Sequence, residues 1–211
     1  MAVITVTRQY GSGGSKVAGL VAAQLGWTLI DNEFVEEVAR SAGLPVATVV
    51  ALEERAPSLK ERLVSALATA SPEVFVPTSA PTDEEKTEER IVRHTERVIA
   101  AAAQDGRVVL VGRGAQAVLA GATPELGLHV YVIAPREERI RTIMRRLSLN
   151  ATEAARLTDE TDANRDRYVE RWYGRRRQDP ANYHLVVNTG LMGYEGSAEL
   201  VSMAARHKGW S

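Results

Sequence analysis

The opening of the chain constrains the rest most. A short β-branched run, residues 2–7, feeds Arg8-Gln9-Tyr10-Gly11-Ser12-Gly13-Gly14-Ser15. Val17, Leu20, Val21 and Leu25 then recur at helical spacing, which predicts an amphipathic helix over 15–25 ended by Gly26. A strand entering a glycine-rich turn ahead of a helix points backbone amides inward, and the first helical turn adds partial positive charge. Gly11, Ser12, Gly13, Gly14 and Ser15 are therefore the candidate phosphate cradle. Against the template G-x-x-x-x-G-K-[ST], Gly13 fills the second glycine, Arg8 the first, Gly14 the lysine and Ser15 the hydroxyl. Lys16 comes two residues late, roughly 200° round the helix, and is not expected on the same phosphates. Arg8 is the candidate substitute for the missing lysine, and Ser15 the candidate Mg²⁺ ligand. A glycine turn that binds nothing is the bland alternative.

Downstream, strand-like runs alternate with helical patterns. Residues 27–30, 108–111, 128–133 and 184–188 read as strands. Helical stretches are expected within 43–104, the last starting near Thr82-Asp83. Others are expected from Pro135 to about 147, over 152–173 and over 198–207. Residues 71–81 hold three prolines without periodicity and read as a long loop. The alternation predicts an α/β fold, a parallel sheet covered by helices on both faces, with ligands at the carboxyl ends of the strands. Thr7-Arg8, Asp31, Gly112-Arg113 and Pro135 all fall there.

Charge and cysteine usage narrow the function classes. The formal net charge is −1, which argues against a nucleic-acid binder or a membrane-surface protein. Residues 136–177 nevertheless carry twelve arginines against eight acidic residues, and arginine is the side chain that grips phosphate bidentately. Cysteine is absent, which excludes disulfides, thiolate metal sites and a cysteine nucleophile. With no apolar run of spanning length, the expectation is a cytoplasmic protein.

Thr5-Val6-Thr7-Arg8-Gln9-Tyr10-Gly11-Ser12-Gly13-Gly14 resembles the opening of the cytidylate kinase-like family, where this lysine-less loop is usual. The similarity continues through Leu29-Ile30-Asp31, Val109-Leu110-Val111-Gly112-Arg113 and the run from Thr161 to Tyr168. It ends with the run from Asp179 to Thr189. It implies a three-layer P-loop fold with a five-stranded parallel sheet in a single domain over 1–211. A helical acceptor-binding insertion would span 43–104 and a lid region 139–175. It also implies an ATP- and Mg²⁺-dependent phosphotransferase acting on a nucleoside monophosphate, CMP or dCMP first. Arg113 would clamp the acceptor phosphate, Arg165 would meet phosphate from the lid, and Asp31 and Asp162 would contact the acceptor. Arg93 is a further candidate for the acceptor phosphate.

Each residue also has a plainer reading. Arg113 can cap the next helix and Asp31 can be an N-cap. Asp162 and Arg165, three apart, can form a solvated ion pair. His94, His129 and Trp172-Tyr173 read as packing or surface residues. Authentic cytidylate kinases carry a loop lysine and acids flanking the Gly-Arg pair, where this chain has Gly14, Val111 and Gly114. Two alternatives stay open: a nucleotide-binding regulatory protein with little turnover, or a kinase of another small acceptor. The partners expected are small nucleotides, with neither nucleic acid nor membrane.

Overall fold

A computed structural model describes residues 2–31, 81–122 and 127–210. Five parallel strands form one sheet in the order β2-β3-β1-β4-β5: β1 (Val3–Arg8), β2 (Thr28–Asp31), β3 (Val108–Val111), β4 (Gly127–Ile133) and β5 (Leu185–Asn188). β1 lies at the centre, with Val3 opposite both Val108 and Gly127. Because the chain leaves β1 for one side of the sheet and later returns to its other side, the carboxyl end of β1 is the topological switch point.

One face carries α1 (Gly14–Leu25) and α6 (Thr189–His207). Ile4, Val6, Val109, Val130 and Val132 pack there against Val17, Val21, Ala198 and Val201. The opposite face carries α2 (Pro81–Asp105) and α3 (Ala115–Ala122), where Val3, Ile30 and Leu110 meet Ile99, Ala102 and Leu119. Period-2 alternation divides β1 between the two cores, which is why residues 3–7 are all β-branched. The three layers expected from the alternating pattern are present.

A helical hairpin, α4 (Arg136–Leu147) and α5 (Ala151–Tyr173), stands beside this sandwich. Asn150 and Glu153 form a reciprocal capping box that starts α5, and Gly174 in the left-handed region ends it. Its apolar seam closes on Tyr10: Ile143 and Ala154 are fully buried against that ring, with Met144, Leu149 and Leu157 around them. Tyr10 thus ties the glycine loop to the hairpin.

The last helix begins earlier than its periodicity predicts. It starts at Thr189, capped by the Asn188 side chain on the Gly190 amide, and kinks at Gly193. Three glycines before residue 198 hide this turn from a periodicity reading. The part of the expected 43–104 insertion below residue 81, and the proline-bearing loop except Pro81, lie outside the described residues. Pro81 opens α2.

Candidate functional site

β1 ends in Arg8, and the chain then turns through Gly11 and Gly13, both in the left-handed region (φ 79° and 77°). Much of the loop is closed by the protein itself. Gln9 donates its amide to the Val132 carbonyl (3.0 Å), and the Ser12 amide returns to the Gln9 carbonyl (3.3 Å). The Ser12 hydroxyl donates to the same carbonyl (2.8 Å) and is buried, so this side chain braces the loop. What remains for an anion is the start of α1. Gly13 caps it with no side-chain hydrogen bond, and the amides of Gly14, Ser15 and Lys16 have no intrahelical acceptor by helix geometry. The Ser15 hydroxyl, half-buried beside them, makes no hydrogen bond among the described residues. This donor set fits a polyphosphate, and one serine hydroxyl fits Mg²⁺, which keeps most of its shell as water and phosphate oxygens.

The glycines have separate reasons. A Cβ on Gly13 would fall 2.2 Å from the Tyr194 ring, which the kink at Gly193 sets against the loop. A Cβ on Gly14 would fall 2.4 Å from Cβ and 2.9 Å from Cγ of Arg8. The stem of Arg8 therefore lies where a lysine at position 14 would begin. Lys16 points elsewhere: it is exposed, sits over the Tyr194 ring at 4.6 Å and pairs with Glu195 at 4.0 Å.

Next to the loop, at the carboxyl ends of β1 and β3, lies a small cleft. Arg8, Arg113, Arg165 and Arg177 line it together with Thr7, Gln116, Tyr168 and Tyr183, and among the described residues no carboxylate does. Arg113 stands in a turn of three consecutive left-handed residues, with φ of 78°, 56° and 65° at Gly112, Arg113 and Gly114. A non-glycine residue there costs on the order of 1 kcal/mol, the kind of strain that gathers at ligand sites. Tyr173, at the end of α5, packs on Gly114, where a Cβ would lie 2.5 Å from its ring. Gln116 is 5% exposed, lines the cleft and makes no hydrogen bond among the described residues. Residue spacing gave no sign of it.

Arg165 and Arg177 approach from the hairpin side. Both donate to the Arg8 carbonyl, at 3.4 Å and 2.8 Å, so the backbone of Arg8 is held from one direction while its side chain leaves in another. Arg177 also donates to Asp166 at 2.6 Å. Burial disfavours its charge, but Tyr131, Asp166 and Asp162 outweigh that and raise its pKa. Arg177 is buried, 5% exposed. Arg139 is buried too.

Asp162 departs from expectation. Its carboxylate accepts the Tyr10 amide (2.9 Å), Arg139 Nη1 (2.6 Å) and Arg177 Nη2 (3.3 Å). It does not line the cleft. These three donors, rather than a solvated pair with Arg165, hold its carboxylate. Asp31 ends β2 opposite Val111, half-exposed, and Arg93 is exposed on α2; neither lines the cleft. Of the sequence candidates, Arg8, Arg113 and Arg165 converge on one cleft.

A match to the model of the cytidylate kinase-like family spans residues 3–191. The chain belongs to that family. Among solved structures, a protein from Eubacterium ventriosum aligns over 98% of this chain and 99% of its own, with TM-score 0.67 and 16% identity. Shikimate kinase from Bacteroides thetaiotaomicron aligns over 97% and 98%, with TM-score 0.53 and 13% identity. Shikimate kinase from Acinetobacter baumannii aligns over 100% and 96%, with TM-score 0.50 and 15% identity. At such identities the likeness is one of fold. A uronate isomerase of Corynebacterium glutamicum is 34% identical over 113 residues, 53% of this chain but 21% of that protein. The chain thus matches about a fifth of that relative's length, and the match carries no activity with it. Among the described residues, no helix is long and apolar enough to cross a membrane.

Proposed function

We propose that this family member is an ATP- and Mg²⁺-dependent kinase of a small phosphorylated acceptor, a nucleoside monophosphate and first of all CMP or dCMP. The carrying observation is the convergence of Arg8, Arg113 and Arg165 on one cleft beside the helix that follows the glycine loop. Phosphoryl transfer is mostly positioning and charge neutralisation. An acceptor phosphate oxygen attacks the γ-phosphorus, the bond to the β–γ bridging oxygen breaks, and ADP leaves with that electron pair. The acceptor is already an oxyanion, so no side-chain base is needed. The first-turn amides of α1 hold the donor phosphates, and Arg113 and Arg165 hold the acceptor phosphate and the charge that spreads over the transferring group. The Ser15 hydroxyl is the protein's ligand for Mg²⁺, which supplies charge neutralisation on the phosphate oxygens. The hairpin is the lid, with Arg165 brought from α5.

The ATP donor, the nucleotide acceptor and a cytoplasmic setting rest on the family. Gln116, which lines the cleft without a hydrogen bond to the described residues, supports a neutral, hydrogen-bonding head group. A second reading, a nucleotide-binding regulator with little turnover, draws support from Val111 and Gly114, which leave the Gly-Arg turn without flanking acids. A coupled assay of ADP release with Mg²⁺, run across nucleoside monophosphates and shikimate-like hydroxy acids, separates the readings. Turnover fastest on a pyrimidine monophosphate is expected. Tight ATP binding without turnover on any acceptor favours the regulator, and fastest turnover on a non-nucleotide replaces the acceptor.

A further inference from the structure

Two glycines and one arginine carry a more specific inference, which rests on the triphosphate site just proposed. In the P-loop template, the residue after the last loop strand is glycine and the residue opening the helix is lysine. Here those places hold Arg8 and Gly14, and the structure shows that they exclude one another's alternatives. The Arg8 stem passes so near Gly14 that a Cβ there would sit 2.4 Å from Arg8 Cβ. That contact involves the root of the side chain, which rotation of the guanidinium cannot relieve. A lysine at 14 therefore has no path while residue 8 has a stem.

The backbone of Arg8 is fixed independently by Arg177 and Arg165 on its carbonyl, and Arg8 is only 9% exposed. Its guanidinium ends against Gly112, where a Cβ would fall 2.1 Å from Nη1. The side chain thus runs from the mouth of the phosphate loop to the turn that bears Arg113.

We infer that Arg8 and Gly14 are an exchanged pair. The cation that a P-loop ordinarily sends from the helix side is sent here from the strand side, and Gly14 is the positioning residue that leaves it room. Arriving from that side, the guanidinium lies between the triphosphate site and the acceptor turn. A lysine presents a point charge, whereas this planar fork can bond two phosphate oxygens at once, and it reaches the γ-phosphoryl group from the acceptor's flank. Arg8 is in this way a catalytic residue that bridges donor and acceptor.

The exchange is testable by reversing it. ATP·Mg²⁺ affinity and turnover on the best acceptor would be measured for wild type, Arg8→Gly, Gly14→Lys and the double variant, with ligand-free melting temperatures alongside. Arg8→Gly is expected to lose at least about tenfold in affinity, since an unpaired phosphate contact costs more than about 1.4 kcal/mol. Gly14→Lys is expected to lose affinity and melting temperature together. The double variant is expected to recover to within about tenfold of wild type, a non-additivity only residues sharing one space would show. Arg8→Lys, which keeps a stem and a charge, is expected to retain the melting temperature and part of the affinity. Additive losses in the double variant, full ATP affinity in Arg8→Gly, or an undamaged Gly14→Lys would each overturn the exchange while leaving the kinase reading intact. Absence of ATP binding in wild type would overturn that reading itself and the exchange with it.

Discussion

Arg139 and Arg177 around Asp162, and Arg113 between its two glycines, are the same kind of side chain put to opposite uses. Around Asp162 every group is answered: one carboxylate meets two guanidinium groups and a loop amide, and Asp162, Arg139 and Arg177 side chains are 15%, 8% and 4% exposed. At the Gly112–Gly114 turn the backbone is held in left-handed conformations and the arginine lines a cleft. Charge locked into a buried cluster builds the frame, whereas charge lining a cleft is placed where a ligand can reach it. Both surround the same glycine loop, so counting arginines near a phosphate site says little until their partners are known.

The largest expected effect tests the frame. Asp162→Ala leaves two buried guanidinium groups and the Tyr10 amide without their shared acceptor, and removing one partner of such a pair costs about 3–5 kcal/mol. Urea denaturation should show the midpoint falling with an unchanged slope. A stable variant with damaged acceptor binding would instead make Asp162 a ligand residue, as the family resemblance implied.

A smaller effect concerns acid. His129 is 3% exposed on β4, with Nδ1 2.8 Å from the Thr5 hydroxyl and its backbone amide donating to His184. Burial, and then the nearby charges of His184, Arg175 and Lys208, lower its pKa from 6.5 to about 4. The folded state holds it neutral while the unfolded chain protonates near 6.5. Stability from this group is therefore complete above that value and declines as pH falls towards about 4. Denaturation midpoints between those limits should slope more steeply for wild type than for His129→Gln. Parallel slopes would remove His129 from the acid response.

Least of all should change in Lys16→Ala. Its ammonium rests on Tyr194 and near Glu195, both on α6, in an exposed contact worth under about 1 kcal/mol. ATP affinity should stay within about twofold of wild type; a tenfold loss would return Lys16 to the phosphates.

How much of this was legible beforehand follows the range of the interactions involved. Local pattern was enough for the five parallel strands, the glycine loop, the hairpin helices and the convergence of Arg8 and Arg113 at strand ends. Helical angle was enough to turn Lys16 away from the loop, and it lies against Tyr194 and Glu195. Local pattern falls short where partners are distant in sequence: spacing offers Arg165 as an ion-pair partner for Asp162, whereas its partners are Arg139, 23 residues before, and Arg177, 15 after. Gly14 read as a missing lysine because nothing local reveals that the Arg8 stem fills its space. Gln116 looked like any polar residue on a short helix; only burial at a cleft gives it meaning.

The most direct measurement of the central proposal, that the arginine cleft takes a phosphorylated acceptor beside a triphosphate site, is calorimetric titration with a bisubstrate analogue. That analogue would join adenosine to a nucleoside monophosphate through a polyphosphate. Wild type should bind it, and Arg113→Ala should bind at least about tenfold more weakly, the loss of one charge-assisted contact, at an unchanged melting temperature. Equal affinity in the two proteins, or no binding to wild type, would contradict it.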